Sequence, residues 1–280
     1  MDKKITILSP LFIKGDKINY YKKCIKSFYD SIEEPYPLHI IKDDSSQETH
    51  EEVKKLMKEI NPNHIFLDRK NKTNGFTSVS ELIDYVETKY FLFLIDDAIM
   101  TVKENIIEPI VEHMDKDEKT IQVKIGGGLL CNGTGKTNKD NIIKHKDNTV
   151  SLYSNKEVKY KPYVYGDNIV WVMDLKSKNT LGEMPISFWN CVHRTEIFKK
   201  INDIIKNKKG PKKYWSHYQA FVNYTGGRNN IIKKNGWPKD FEFLDNYKSG
   251  WLNMCCYLYP FNRCRFSLND FKKTHTIKIN

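Results

Sequence analysis

At 280 residues the chain can bury a full core, enough for one large domain or two closely packed halves. A net charge of +11 suits an anionic ligand, and no apolar run approaches the roughly 20 residues that cross a bilayer. Met1-Asp2-Lys3-Lys4 leads straight into a strand pattern instead of a secretory leader, so a soluble, cytoplasmic protein is expected. Ile5-Thr6-Ile7-Leu8 reads as the first strand. Ile18, Tyr21, Ile25, Phe28 and Ile32 then recur at helical spacing as one apolar stripe. Leu38-His39-Ile40-Ile41 is a second strand, ending at Asp43-Asp44. Ser45-Ser46-Gln47-Glu48 offers a capping box for a helix with Val53, Leu56, Met57 and Ile60 inward, stopped by Asn61-Pro62.

His64-Ile65-Phe66-Leu67 is a third strand. A second capping box, Ser78 to Glu81, opens a helix that turns Val79, Leu82, Ile83 and Val86 inward. Tyr90-Phe91-Leu92-Phe93-Leu94-Ile95 runs unbroken into Asp96-Asp97 and reads as a strand buried on both faces. A helix with Ile106, Ile107, Ile110, Val111 and Met114 inward follows, then a strand over 120–125. Strands alternating with helices predict a parallel sheet with helices on both faces. Right-handed crossovers put the Asp43-Asp44 and Asp96-Asp97 ends on one edge.

Gly126-Gly127-Gly128 breaks this rhythm. Residues 132–150, rich in Asn, Lys, Asp and Gly, read as a loop. Strand-like pieces follow at 160–165 and 169–173, and a helix over 195–205. The last eighty residues are dense in Trp, Tyr and Gly, a composition suited to a binding surface. The break divides a 1–125 half from a 126–280 half and reads as a change of role inside one fold, since no linker-like sequence separates two domains.

Two carboxylates at the end of a buried strand need a reason, because an unpaired buried carboxylate is costly. Ligands of open α/β sheets bind beyond the carboxyl ends of the strands, and paired acids there suit a hard divalent cation. The alternative is a strand that ends in a polar turn, with Asp97 capping the next helix. Asp43-Asp44 likewise reads either as acceptors for a base or ribose or as a helix cap. Six cysteines without C-x-x-C spacing read as buried thiols, not a zinc site.

Taken together, the order of these elements resembles the family 2 inverting glycosyltransferases of GT-A fold. The resemblance rests on Ile5–Pro10 and the helix after it, on Ile40-Ile41-Lys42-Asp43-Asp44-Ser45-Ser46, on Lys72-Thr73-Asn74-Gly75-Phe76, and on Leu92-Phe93-Leu94-Ile95-Asp96-Asp97. It implies a central, mostly parallel sheet flanked by helices, with an irregular C-terminal acceptor half. It also implies transfer of a sugar from a nucleoside-diphosphate sugar to a hydroxyl acceptor, on a glycan, lipid or protein, with inversion.

Under this resemblance Asp43, with Asp44, contacts the base, Pro10 and Arg69 join the donor-binding set, and Asp96 meets the ribose. Asp96 and Asp97 hold Mn²⁺ or Mg²⁺ on the diphosphate, with His275 as a third ligand. The usual Asp-x-Asp is here Asp-Asp-Ala, so Ala98 supplies no carboxylate. The cation stabilises the departing diphosphate, and a carboxylate general base takes the acceptor's proton. The base falls in Lys239-Asp240-Phe241-Glu242-Phe243-Leu244-Asp245, where Asp240, Glu242 and Asp245 compete. Trp189, Trp215, Trp237 and Trp251 offer stacking faces for an acceptor sugar, and His193 and His217 are weaker metal candidates.

Gly133-Thr134-Gly135-Lys136-Thr137 imitates the end of a P-loop, but the position five residues before Gly135 is Leu130. No basic–aromatic signature of a nucleic-acid module is present, so no nucleic-acid partner is expected. Peripheral membrane contact through 251–266 stays open. Two rival readings are a non-catalytic binder of nucleotide-sugars or glycans on a degenerate GT-A scaffold, and a sugar-1-phosphate nucleotidyltransferase. Leu11-Phe12-Ile13-Lys14-Gly15 lacks the Gly-rich basic signature of the second.

Overall fold

The computed structural model of the protein describes residues 4–67, 75–96, 99–100, 105–125, 142–152, 155–166, 168–176, 186, 191–207, 239–252 and 257–258. Described residues up to 106, with 193–207 and 258, form one compact unit; those within 107–192 and 239–257 form a second.

The first unit alternates β1 (Ile5–Leu11), α1 (Lys17–Tyr29), β2 (Leu38–Asp43), α2 (Gln47–Ile60), β3 (His64–Phe66), α3 (Gly75–Asp84), β4 (Tyr90–Phe93) and the short β5 (Ile99–Met100). β1 is central and parallel to both neighbours, from Thr6 opposite Leu38 to Leu11 opposite Asp43, and from Ile5 opposite Tyr90 to Leu8 opposite Phe93. β3 adds outside β2, again parallel. Burial of Tyr90, Phe91, Leu92, Phe93 and Leu94 on both faces bears out the reading of that apolar run.

The helices bury most of the predicted stripes: Tyr21, Ile25 and Phe28 on α1, with Ile18 half-buried and the unforeseen Cys24 and Tyr29 also inside, and Val79, Leu82 and Ile83 on α3. Both capping boxes need correction. Ser46, one residue later than expected, caps α2 and accepts from the Thr49 amide, while the Ser45 hydroxyl accepts from the Ile13 amide at 2.8 Å. α3 begins at Gly75, so Ser78 lies inside the helix and not at its start.

The second unit holds α4 (Ile107–Lys116), β6 (Thr120–Lys124), β7 (Ile142–Lys144), β8 (Val150–Leu152), β9 (Asn155–Tyr165) and β10 (Asn168–Asp174). β7 lies within the stretch read as loop, and β8 starts at its last residue, Val150. Their hairpin is closed by Asn148 at φ 59 and by the Asp147 carboxylate accepting from the Thr149 amide. A short polar side chain tolerates that left-handed backbone, so a polar run here makes a turn inside a sheet.

β11 (Cys191–Arg194) then feeds α5 (Thr195–Asn207), which returns to the first unit against α3. There Ser80 Oγ donates to Asn202 Oδ1 at 2.7 Å, and Asn202 Nδ2 donates to Asp84 Oδ1 at 3.1 Å. β12 (Lys248–Leu252) pairs parallel with β6 and antiparallel with β10, and Gly250 is the close point. A Cβ there would stand 3.0 Å from Val123 Cγ2 and 3.2 Å from Val170 Cγ1.

His113 on α4 is buried between Tyr165 Oη at 2.9 Å and Thr120 Oγ1 at 3.1 Å. Thr120 and Lys248 both donate to Asp117 Oδ2, closing a polar cluster. Among the described residues no helix is long and apolar enough to cross a membrane.

Candidate active site

Parallel pairing carries β1, β2 and β4 to a common carboxyl edge, the edge at which α/β sheets bind ligands. The β2 end is tightly bonded. Asp43 is buried; its Oδ1 accepts from the Ser45 amide at 2.9 Å, and its Oδ2 faces His50 Nδ1 at 2.9 Å. The Asp44 amide donates to the Leu11 carbonyl at 3.0 Å, and the Ile13 amide donates to Ser45 Oγ. These bonds lock the chain leaving β1 against the chain leaving β2.

Pro10 sits half-buried in this edge, opposite Lys42. Lys42 is buried and extends its amine to Glu81 Oε2 at 2.9 Å, tying β2 to α3. Phe12, just beyond β1, keeps 52% of its surface exposed, with the Lys14 amine 4.6 Å above its ring. Motif reading passed over Phe12; its signal was a large apolar residue directly after a strand that ends at the acidic edge.

At the β4 end, strand pairing stops at Phe93 and side chains take over. The Leu94 amide still donates to the Leu8 carbonyl, but the Leu94 carbonyl accepts from Ser9 Oγ at 2.9 Å. The next carbonyl, of Ile95, accepts from the Cys24 thiol at 3.1 Å. Asp96 follows in a turn, partly exposed.

The α1 helix runs beneath both acid-bearing ends. Burial pushes the Tyr21 phenol well above its ordinary value, and Cys24, Tyr29, Asp43 and Asp96 push it further. Both carboxylates therefore lie within electrostatic reach of one side chain. The two strand ends named by the motifs are brought together on this edge.

The remaining described candidates belong each to its own unit. Asp240 and Glu242 are exposed and Asp245 is half-buried on a 3₁₀ helix, Lys239–Asn246, anchored by buried Phe241 and Leu244. His193 is buried in the first unit's core, its ring 4.8 Å from Phe91 and 4.1 Å from Phe198. Trp251 is buried against Tyr160, with ring centroids 5.5 Å apart. Arg69, Asp97, Ala98, Trp189, Trp215, His217, Trp237 and His275 lie outside the described residues.

Among the described residues, no three His, Cys, Asp or Glu side chains gather into a ready-made metal cage. Asp96 supplies a hard oxygen donor at the edge, the type that Mg²⁺ and Mn²⁺ accept alongside phosphate oxygens.

A parallel α/β sheet with acids at its carboxyl edge defines a class of ligand-binding α/β protein. Within that class the chain belongs to glycosyl transferase family 2, whose model matches residues 12–166, more than half of the 280 residues. Its fold is of the GT-A kind, a sheet flanked by helices.

Among solved structures it is similar to S. aureus TarS 1–349 in complex with UDP, at 13% identity, with 91% of this chain and 59% of that chain covered and a TM-score of 0.49. The same fragment in complex with UDP-GlcNAc aligns at 12% identity, over 97% of this chain and 64% of that chain, with a TM-score of 0.49. The bifunctional IspDF from Campylobacter jejuni aligns at 11% identity, over 79% of this chain and 47% of that chain, with a TM-score of 0.35. The chain thus spans less than two thirds of the length of each of these structures. No curated protein matches it in sequence.

Proposed function

We propose that the protein transfers a sugar from a nucleoside-diphosphate sugar to a hydroxyl acceptor, with inversion. The observation that carries the reading is the common edge on which β2 and β4, flanking β1, bring Asp43-Asp44 and Asp96 over α1. Family membership supports the reaction class.

In this reading the 1–125 half holds the donor. Asp44 and Arg69 reach the nucleotide, and Pro10 with the exposed Phe12 ring forms a surface for the base. Asp43, with both oxygens bonded inside the protein, shapes that surface more than it touches the base. Asp96 contacts the ribose. Asp96, Asp97 and His275 would hold Mn²⁺ or Mg²⁺, which as a Lewis acid would neutralise charge on the departing diphosphate. Within the 126–280 half, Asp240, Glu242 or Asp245 takes the acceptor's proton. Asp240 and Glu242 are exposed, as a base that meets an acceptor must be.

The test is a thermal-shift panel of UDP-, GDP-, CMP- and dTDP-sugars with and without Mn²⁺. A bound donor raises the melting temperature by mass action. A rise with one donor, larger with Mn²⁺, is expected. No rise with any of them overturns the donor assignment.

A further inference from the structure

We propose that His39 is a positioning residue for Asp96, acting through the Ser9 hydroxyl on the Leu94 carbonyl; this rests on the reading of Asp96 as a donor-site carboxylate. His39 lies inside β2, fully buried, and belongs to none of the motifs that define the edge. Its Nε2 is 2.8 Å from Ser9 Oγ and its Nδ1 is 2.9 Å from Tyr29 Oη. Beyond Tyr29, Asn61 Nδ2 stands 2.7 Å from Tyr29 Oη and 3.1 Å from the Pro37 carbonyl. At the other end, Ser9 Oγ is 2.9 Å from the Leu94 carbonyl.

The direction of every bond follows from the ends. A carbonyl only accepts, so the Ser9 hydroxyl donates its hydrogen to Leu94. Ser9 Oγ can then only accept from His39, which places a hydrogen on Nε2. The neutral ring has a bare Nδ1, which accepts from the Tyr29 hydroxyl, and Tyr29 Oη in turn accepts from Asn61. Burial, with His64 adding to it, holds the His39 ring neutral, its pKa lowered to about 3. The chain of bonds is therefore one-directional and complete, the condition under which a buried polar network specifies one geometry.

Its terminus explains its use. β4 pairs with β1 only as far as Phe93, and Asp96 comes three residues later. Across that gap the Leu94 and Ile95 carbonyls are held by side chains, Ser9 and Cys24. A hydroxyl rotor can swing away from its acceptor. His39 prevents this, because its Nε2 hydrogen occupies the Ser9 lone pair and leaves the Ser9 hydrogen to Leu94. The network thereby sets where the chain leaves the sheet and where Asp96 stands.

The experiment measures binding of UDP, GDP, CDP and dTDP by calorimetry, with and without Mn²⁺, on the whole chain. The tightest nucleotide is then compared in the parent, Asp96→Asn, Ser9→Ala, His39→Gln and His39→Leu, with a melting temperature for each. Loss of the Ser9 hydroxyl is expected to weaken binding by about tenfold while the protein stays folded at the assay temperature. His39→Gln, which can still donate to Ser9, should bind within about threefold of the parent, whereas His39→Leu, which cannot, should weaken binding as Ser9→Ala does.

Weakened binding in Asp96→Asn with parental binding in a folded Ser9→Ala or a folded His39→Leu overturns the positioning role alone. Parental binding in Asp96→Asn, or no nucleotide bound by the parent, overturns the donor-site reading beneath it. Should a variant melt near the assay temperature, the amide resonances of Ile95 and Asp96 in Ser9→Ala at lower temperature decide: unmoved resonances overturn the proposal.

Discussion

His50 Nδ1 meets Asp43 Oδ2 at 2.9 Å with both side chains buried, so the first acid of the Asp43-Asp44 pair is committed inside the protein. Its other oxygen holds the Ser45 amide, and Ser45 holds Ile13. Asp43→Ala leaves a buried imidazole and a buried amide without their acceptor, which costs about 3 kcal/mol. Urea unfolding of Asp43→Ala beside Asp44→Ala tests this. A clearly lower midpoint is expected for the first and a near-parental one for the second. Equal midpoints would show that the Asp43 bonds contribute nothing.

Asp96 stands in a partly exposed turn, and the backbone leading to it is held at the Leu94 and Ile95 carbonyls. Asp96→Asn is therefore expected to melt close to the parent yet to lose sugar transfer or donor hydrolysis on the order of 100-fold, the usual loss when one preorganised charge is removed. Asp97→Asn should behave alike. Turnover is followed by release of the nucleoside diphosphate, and parental rates would remove these acids from the reaction.

Acid should unfold the protein through two histidines. Burial lowers His39 to about 3. Burial and, less strongly, Lys248 lower His113 to about 4 against an opposing pull from Asp117. Both folded values lie below the ordinary 6.5, so the unfolded chain takes up protons that the native state refuses. Stability is fully present above pH 6.5 and falls as pH drops toward the folded values, by a few kcal/mol per histidine.

Asp117 acts in the same sense: burial pushes its carboxyl up, but hydrogen bonds and charge from Lys248, with Thr120 and the Lys119 amide, outweigh this and hold it low. Urea midpoints from pH 7.5 down to 4 check the slope. His113→Gln should flatten the curve, and an unchanged slope would contradict the neutral buried ring.

Gly250→Ala is expected to cost about 2 kcal/mol, because the added methyl would meet Val123 and Val170 where β6, β12 and β10 run side by side. Pairing it with Val170→Ala makes room, so the double variant should lose less than the sum of the two single losses. Simple additivity in urea melts would mean that the strands shift instead of clashing.

Much of the first unit could be read from local pattern. Helical stripes at Tyr21, Ile25 and Phe28 and the apolar run of β4 are short-range signals, since a helix face or a doubly buried strand repeats within a few residues. The second unit was less legible. β12 was not foreseen, because a parallel pairing between Thr120 and Lys248 leaves no mark in either segment. The β7–β8 hairpin hid in polar composition, its turn made by Asp147 and Asn148.

At the candidate site the division is similar. The sequence by itself determined that carboxylates stand at the end of β2 and shortly after β4, because strand ends and acids are local facts. Only the tertiary structure decided what each acid does there. It placed His50, seven residues along the chain, against Asp43, and Ser9, eighty-five residues from Leu94, against the carbonyl that leads to Asp96. Hydrogen-bond partners of buried groups are chosen by packing across elements, and no periodicity in one segment records the side chain that another will bring to it.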